Sequence, residues 1–369
     1  MTVNSSSISS KTRVKVLDVL RGVAIILVLG RHRFVSNFWY IVGWIGVDIF
    51  FVMSGFLMGN LLFKEYQKTG FINFKNFIIR RGLRIYPPFY IFILVTIIYN
   101  LIIQNSLDLN AIASEILFVQ NYFPRLWSHT WYLAVDQHFS VLLLPLTLKL
   151  MITFSKNKSN PFKWIRLIFF GIALLMILLR GLTDLYIPYK NHYLQYTHLR
   201  LDSLTFGVLI SYLYCFYSLD FETWIKRHKI LILSISLALI FPSFILDLET
   251  SAFMHIIGVT FVYLGIGGII LFLLYWQLQV PIIIEQFSTP ILDVLALIGL
   301  NSYSIYLWHL AVAEWGVDNI VKLYPHKIHY FVEFWIYCCG SIAFGIFMTK
   351  FIENPIEKLR SRWYPRKNT

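Results

Sequence analysis

The sequence predicts an all-α fold: a polytopic membrane helix bundle of about ten transmembrane helices, with both termini cytoplasmic. Three observations predict it. The 369 residues are 57% hydrophobic and 18% aromatic but only 14% charged, whereas a soluble domain carries roughly a quarter charged residues. Apolar runs of about 20 residues recur, the length a helix needs to cross a hydrocarbon core of about 30 Å. The ten-residue alternating segments of a membrane barrel do not occur. The 32 Lys and Arg are unevenly placed: with the N-terminus inside and spans alternating, 24 fall on cytoplasmic segments and 8 on the far side, in line with the positive-inside rule. The same placement makes the net charge of +13 a topology signal rather than the footprint of a nucleic-acid partner.

Residues 1–12 (MTVNSSSISSKT) are polar and expected to be disordered in the cytoplasm. No small-residue cleavage site follows the first apolar run, so no removed signal peptide is expected. Residues 13–358 form the transmembrane domain, and 359–369 a basic cytoplasmic tail. The spans are placed near 15–35, 43–63, 84–104, 131–153, 164–182, 200–217, 229–246, 252–275, 289–313 and 329–350. The connection near 277–289 holds no Lys or Arg and is the least constrained. No internal repeat is visible. The outer segments 105–130 and 182–199 contain Asp108, Glu115 and several aromatics, and neither is long enough for a catalytic domain. Any chemistry must therefore lie within or against the bundle. Cys215, Cys338 and Cys339 fall in apolar runs, with neither a disulfide framework nor metal-ligand spacing, so no metal is expected.

Ionisable residues inside a span cost several kcal/mol unless they face protein or water. The first span carries Asp18, Arg21, Arg31, His32 and Arg33. Arg21 and His32 are eleven residues apart, about three turns, so they share a face about 16 Å apart along the axis. Asp18, one turn before Arg21, can pair with it. Arg21 as a snorkelling anchor and His32 as an outer cap is one reading. The shared face and the other intramembrane charges favour a second, in which both line an internal path.

Arg80, Arg81 and Arg84 in "RRGLRIYPPFY" precede the third span on the cytoplasmic side. Arg81 and Arg84 are one turn apart, so their guanidinium forks can converge on one anion. Lipid headgroups are the other use of such a cluster. "TWYLAVDQHF" places Trp131, Asp136, Gln137 and His138 in the outer half of the fourth span. Asp136 there needs a cationic partner, His32 or an arginine, for catalysis or as a structural ion pair. In "GLNSYSIYLWHL" the ninth span gains a polar side that includes His309, for packing or for chemistry. Arg200 and Asp202 in "HLRLDSLTFG" either pair with each other or face a hydroxyl-rich acceptor. Several motifs are absent: the P-loop, the G-x-S-x-G elbow, H-E-x-x-H, C-x-x-C and the H-x-x-x-x-D of some glycerolipid acyltransferases.

Seven pieces occur in order: "LDVLRGVAIILVLGRH", "IGVDIFFVMSGFL", "FIIRRGLRIYPPFY", "TWYLAVDQHF", "LRLDSLTFG", "SYSIYLWH" and "FIENPIEKL". In them the chain resembles the membrane-bound acyltransferase-3 family of cell-surface glycan O-acyltransferases, from residue 17 to about 358. The family pattern of Arg, ten residues, then His fits Arg21 and His32; its paired arginines fit Arg81 and Arg84. The family often has Glu where this chain has Asp136 and Tyr where it has Ser140, and a histidine flanked by two arginines is not typical. The resemblance implies a multi-pass enzyme of the cell (plasma or inner) membrane, surrounded by lipid. It implies a cytoplasmic acyl-CoA donor, acetyl-CoA above all, and a hydroxyl of a surface glycan or lipid-linked sugar as acceptor. Some members add an extracytoplasmic hydrolase-like domain, which is not expected within these 369 residues.

Physics and resemblance meet in one expected geometry. Arg80, Arg81 and Arg84, with Arg21, hold the anionic head of acyl-CoA, and its arm runs along the first helix to His32. His32 then removes the acceptor proton or forms an acyl-histidine. Asp136 would fix its tautomer, while Trp131, Arg200, Asp202 and His309 meet the acceptor. The rival class is a proton-coupled transporter or exporter of a sugar substrate, for which inverted repeats and broken helices are the sequence expectation.

Overall fold

A computed structural model of the chain describes residues 10–33, 35–186, 193–275, 282–324 and 329–365. Every regular element among them is helical. In order they are α1 (Ser10–His32), α2 (Asn37–Val42), α3 (Ile45–Thr69), α4 (Phe74–Tyr99), α5 (Leu109–Ile116), α6 (Trp131–Gln137), α7 (Leu144–Phe154) and α8 (Ile165–Tyr186). Then follow α9 (Leu201–Phe216), α10 (Ser218–Ile240), α11 (Val259–Tyr275), α12 (Ile282–Leu300), α13 (Ser302–Ala311), α14 (Asp318–Leu323), α15 (Tyr330–Met348) and α16 (Asn354–Trp363). Of the polar N-terminal stretch, 1–9 lies outside the described residues, and Ser10–Thr12 already belong to α1. Also outside them are 276–281 of the unconstrained connection, 187–192 of the second outer segment, and Lys190, Lys327, Arg366 and Lys367 of the charge count.

Seven helical runs are long and apolar enough to cross a membrane, and the pair Pro290–Leu300 and Ser302–Leu323, bent by 70°, makes an eighth. The chain is thus a multi-pass membrane bundle, but the count of ten is not reached among the described residues. Two helices account for the difference. α1 has the length, 23 residues, yet carries Lys15, Asp18, Arg21 and Arg31. α9 has 16 residues, about 24 Å of helix, short of a hydrocarbon core of about 30 Å. Both are covered by protein rather than left to lipid. α9 packs along α3, and α1 packs against α12 and α3.

The bundle has two apolar cores. One gathers α3, α9 and α11; the other gathers α4, α13 and α15. α1 serves both, giving Leu17 and Ala24 to the first and Ile25, Val28 and Leu29 to the second. It is therefore the seam of the molecule. Its crossing with α12 is backbone on backbone: a Cβ at Gly22 would strike the Leu295 carbonyl, and one at Gly299 the Asp18 carbonyl. Only glycine permits that approach.

Two irregularities position the interior. The α12–α13 break falls at Asn301, whose side chain donates to the Leu297 carbonyl at 2.7 Å, beside its own backbone N–H at 3.4 Å. The break carries Tyr303, Tyr306 and His309 inward on α13. Between α6 and α7 the chain widens into a π segment, His138–Leu143, just ahead of Pro145, which has no N–H to give to a regular turn.

Candidate active site

α1 lines two cavities. Arg21 sits in one and His32 in the other, on one helical face and about 16 Å apart. The first, about 160 Å³, is walled by Arg21, Arg81, Arg84, Ser54 and Asp136, with Phe50 and Tyr132 at one side. The second, about 240 Å³, is walled by Arg31, His32, His129, Trp131, Arg200 and Tyr306, with His255 and Glu249 also facing it. Between them stand three rings in mutual contact. Phe50 lies 6.1 Å from Tyr132 and 6.3 Å from Tyr306, and Tyr132 lies 5.3 Å from Tyr306, between centroids.

The arginine cavity is lined by three guanidiniums and the Asp136 carboxylate, with Asp18 a second carboxylate beside Arg21. Arg21 donates to Asp18 at 2.8 Å, as their spacing predicted. Arg81 is salt-bridged to Asp136. The other contacts of Asp136 are Ser54 Oγ at 2.7 Å and Gln137 Nε2 at 3.2 Å. Asp136 therefore does not orient His32; it braces an arginine in the other cavity. Helical spacing fixed the face on which Asp136 points but not the helix it would meet. Arg84 is exposed in the cavity and makes no hydrogen bond or ion pair among the described residues. Arg80 turns away and donates to the Tyr364 carbonyl at 2.5 Å. The structure thus brings Arg21, Arg81 and Arg84 together and leaves Arg80 out.

In the histidine cavity, His32 ends α1 and is exposed there. Its flanking arginines are engaged elsewhere: Arg31 with Glu249, whose other oxygen accepts from Tyr40 Oη at 2.9 Å, and Arg33 with Asp318 and Glu333. Arg200 donates to Asp48 at 2.9 Å, and its guanidinium lies 5.9 Å from the centre of the Trp131 ring. Asp202 points away from the cavity into a fully buried pair with Arg180. Arg200 and Asp202 therefore part company: Arg200, on non-helical backbone just ahead of α9, turns to Asp48, and Asp202, in the first turn, turns to Arg180. His309 is fully buried and lines neither cavity. Its ring lies 4.9 Å from that of His32 and 4.7 Å from that of His129. Among the described residues no cluster of His, Cys, Asp or Glu is arranged to hold a metal ion.

Three contributors were not singled out from sequence. Asp48, a carboxylate in the apolar run "IGVDIFF", had the signal that any intramembrane charge has. His129 sits in the aperiodic stretch ahead of Trp131, where no spacing argument reaches. Burial and the neighbouring His32 hold it down to about 3, so it is neutral. The loop that carries it is tied to Glu115, which accepts from Thr130 Oγ1 at 2.8 Å and from the Leu126 and Trp127 amides. Burial outweighs these bonds and pushes the Glu115 carboxyl up to about 7. The third contributor is His255, paired with Asp184 at 3.1 Å at the edge of the same cavity.

A helical membrane bundle with an arginine-lined cavity, a histidine-lined cavity and one helix shared by both is the class of protein this structure defines. Comparison with known proteins gives the family. The family model described as an acyltransferase domain matches residues 14–350. The chain belongs to that acyltransferase-3 family. A protein of Staphylococcus aureus (strain COL), provisionally named an O-acetyltransferase, is 30% identical over 373 residues, covering 93% of this chain and 57% of that one. The peptidoglycan O-acetyltransferase OatA of Listeria monocytogenes is 29% identical, covering 95% and 56%. The O-acetyltransferase OatA of Staphylococcus aureus (strain NCTC 8325 / PS 47) is 28% identical, covering 93% and 57%. The chain thus spans a little over half the length of these relatives. No solved structure matches it.

Proposed function

We propose that the chain is an O-acyltransferase of the cell membrane that moves an acyl group, acetyl first of all, from cytoplasmic acyl-CoA to a hydroxyl of a surface glycan. One observation carries this reading: α1 presents Arg21 to a cationic cavity and His32 to a second cavity, one acyl-carrier arm's length apart. Arg21, Arg81 and Arg84 form the donor site, because planar forks suit phosphate oxygens. Arg84 supplies the charge left over after Asp18 and Asp136 are paired. The arm passes the Phe50, Tyr132 and Tyr306 rings and delivers the thioester to His32. There the imidazole lone pair takes the proton from the acceptor hydroxyl, the oxygen bonds the acyl carbon, the carbon–sulfur bond breaks, and the thiolate leaves. The imidazolium returns a proton to the thiolate, so no charge is left behind. Arg200 and Trp131 offer a hydrogen-bonding head and an apolar face to a sugar ring. The name of the Listeria relative makes a cell-wall glycan strand the first acceptor to test.

The test is direct. Membranes containing the chain are given acetyl-labelled acetyl-CoA and glycan strands, and label is followed into base-labile ester on the glycan. Transfer that depends on His32 supports the reading. Glycan that stays unlabelled while the same membranes export it would favour the transporter class instead.

A further inference from the structure

A neutral histidine base needs something to hold its other nitrogen. In the expected geometry Asp136 had that task, but Asp136 is bound to Arg81 and Ser54 in the other cavity. The ring beside His32 is His309, 4.9 Å away between centroids and tilted by 58°. Its tautomer follows from its own contacts. Nδ1 lies 2.6 Å from the Tyr306 carbonyl, and a carbonyl can only accept, so Nδ1 carries the proton. Nε2 is then a bare lone pair. It is buried and has no hydrogen-bond partner among the described residues. His129 repeats the pattern from the other side: Nε2 sits 3.1 Å from the Leu307 carbonyl, and Nδ1 is buried without a partner. Its ring meets His309 edge-on at 4.7 Å, which fixes the plane of His309. The Tyr306 hydroxyl donates to the His129 carbonyl at 2.6 Å and closes the unit.

We infer that His309 is the positioning residue of the reaction, its bare Nε2 accepting the N–H of His32 so that the other His32 nitrogen points its lone pair into the cavity. The inference rests on His32 being the base. A buried lone pair without a donor costs about 1–3 kcal/mol, and the nearest ring with a proton to give is His32. The contact tightens when the acceptor arrives, as catalytic hydrogen bonds do. The proton balance is that of a triad with an imidazole in the place of the carboxylate. The acceptor proton moves to the cavity-facing nitrogen of His32, the other N–H of the imidazolium stays on His32 and hydrogen-bonded to His309 Nε2, and the first proton goes on to the leaving thiolate. His309 neither gains nor loses a proton.

Two variants separate the nitrogens of His309. His309→Asn keeps a donor near the Tyr306 carbonyl but has no atom at the Nε2 position; His309→Gln reaches that position with an acceptor oxygen. Both are assayed in the full-length chain in membranes, with acetyl-CoA and glycan strand fragments, against His32→Ala. His309→Asn is expected to lose roughly a hundredfold in kcat, the low end of what a positioned base contributes, with KM for acetyl-CoA unchanged. The acid limb of its pH–rate profile moves to lower pH, because the bond that favoured the imidazolium is gone. The other charged groups facing His32, namely Arg31 on its own helix and Arg200, Glu249, His255 and His129 across the cavity, are the same in every variant. His309→Gln is expected to recover about tenfold of the loss. Wild-type kcat in His309→Asn, or equal losses in both variants with an unmoved pH profile, would overturn the inference and leave His309 a packing residue. Full activity in His32→Ala would instead remove the base reading itself.

Discussion

The two cavities solve opposite problems with charged groups. In the arginine cavity the carboxylates are used up on cations: Asp18 on Arg21, and Asp136 on Arg81 with Ser54 and Gln137 added. What remains over is positive charge, on Arg84. In the histidine cavity the cations are used up instead, Arg31 on Glu249 and Arg200 on Asp48. What remains over are nitrogen lone pairs. The proposed roles fit: a site that holds an anion needs an unspent cation, and a site that moves a proton needs an unspent base. Reading the leftovers, rather than the ion pairs, tells the two apart.

That comparison can be broken one cavity at a time. The largest effect is expected from His32→Ala, which should lower transfer by at least about a thousandfold, within the range of a lost general base, while KM for acetyl-CoA and the membrane level of protein hold. Next is Arg81→Ala. It strands Asp136, which is almost fully buried, and a buried charge left unpaired costs about 3–5 kcal/mol; a large fall in melting temperature in detergent should accompany the loss of activity. Arg84→Ala strands nothing. It should raise KM for acetyl-CoA about tenfold, as the loss of one charge-assisted contact does, with kcat and stability near wild type. An effect confined to the acceptor would contradict its placement.

Phe50→Ala acts on the partition rather than on either cavity. Release of CoA without glycan should rise severalfold as water reaches the thioester, measured by thiol titration. The smallest effect is a pH effect outside the spans. Burial raises the Glu115 carboxyl to about 7, above its value in the unfolded chain, so its contribution to stability is complete below about pH 4.5 and is lost as pH rises through about 7. Wild-type melting temperature should therefore fall by a few degrees from pH 5 to pH 8, and Glu115→Gln should flatten that slope.

What could be read from the sequence was what one helix determines by itself. The shared face of Arg21 and His32, the Asp18–Arg21 pair and the convergence of Arg81 and Arg84 follow from 3.6 residues per turn. Partners on other helices do not. Asp136 meets Arg81, and Arg200 meets Asp48, because of how α3, α4, α6 and α9 lie against one another, and no periodicity encodes that. His309 was visible as a polar residue on an apolar span, but its burial behind His32 depends on the bend at Asn301. Among the described residues the count of ten spans is not confirmed, because charge sets α1 apart and length sets α9 apart from the long apolar helices.

The three rings between the cavities have a consequence for the cell as a whole. A polar route lined by arginine, aspartate and histidine from one face of a membrane to the other would be a leak. Each elementary charge crossing an energised membrane dissipates about 2.3 kcal/mol per 100 mV. Phe50, Tyr132 and Tyr306 stand between the two cavities in mutual ring contact and narrow that route with carbon. If the chain passes an acyl group outward as proposed, such a partition would let surface chemistry and bioenergetics share one membrane without discharging each other.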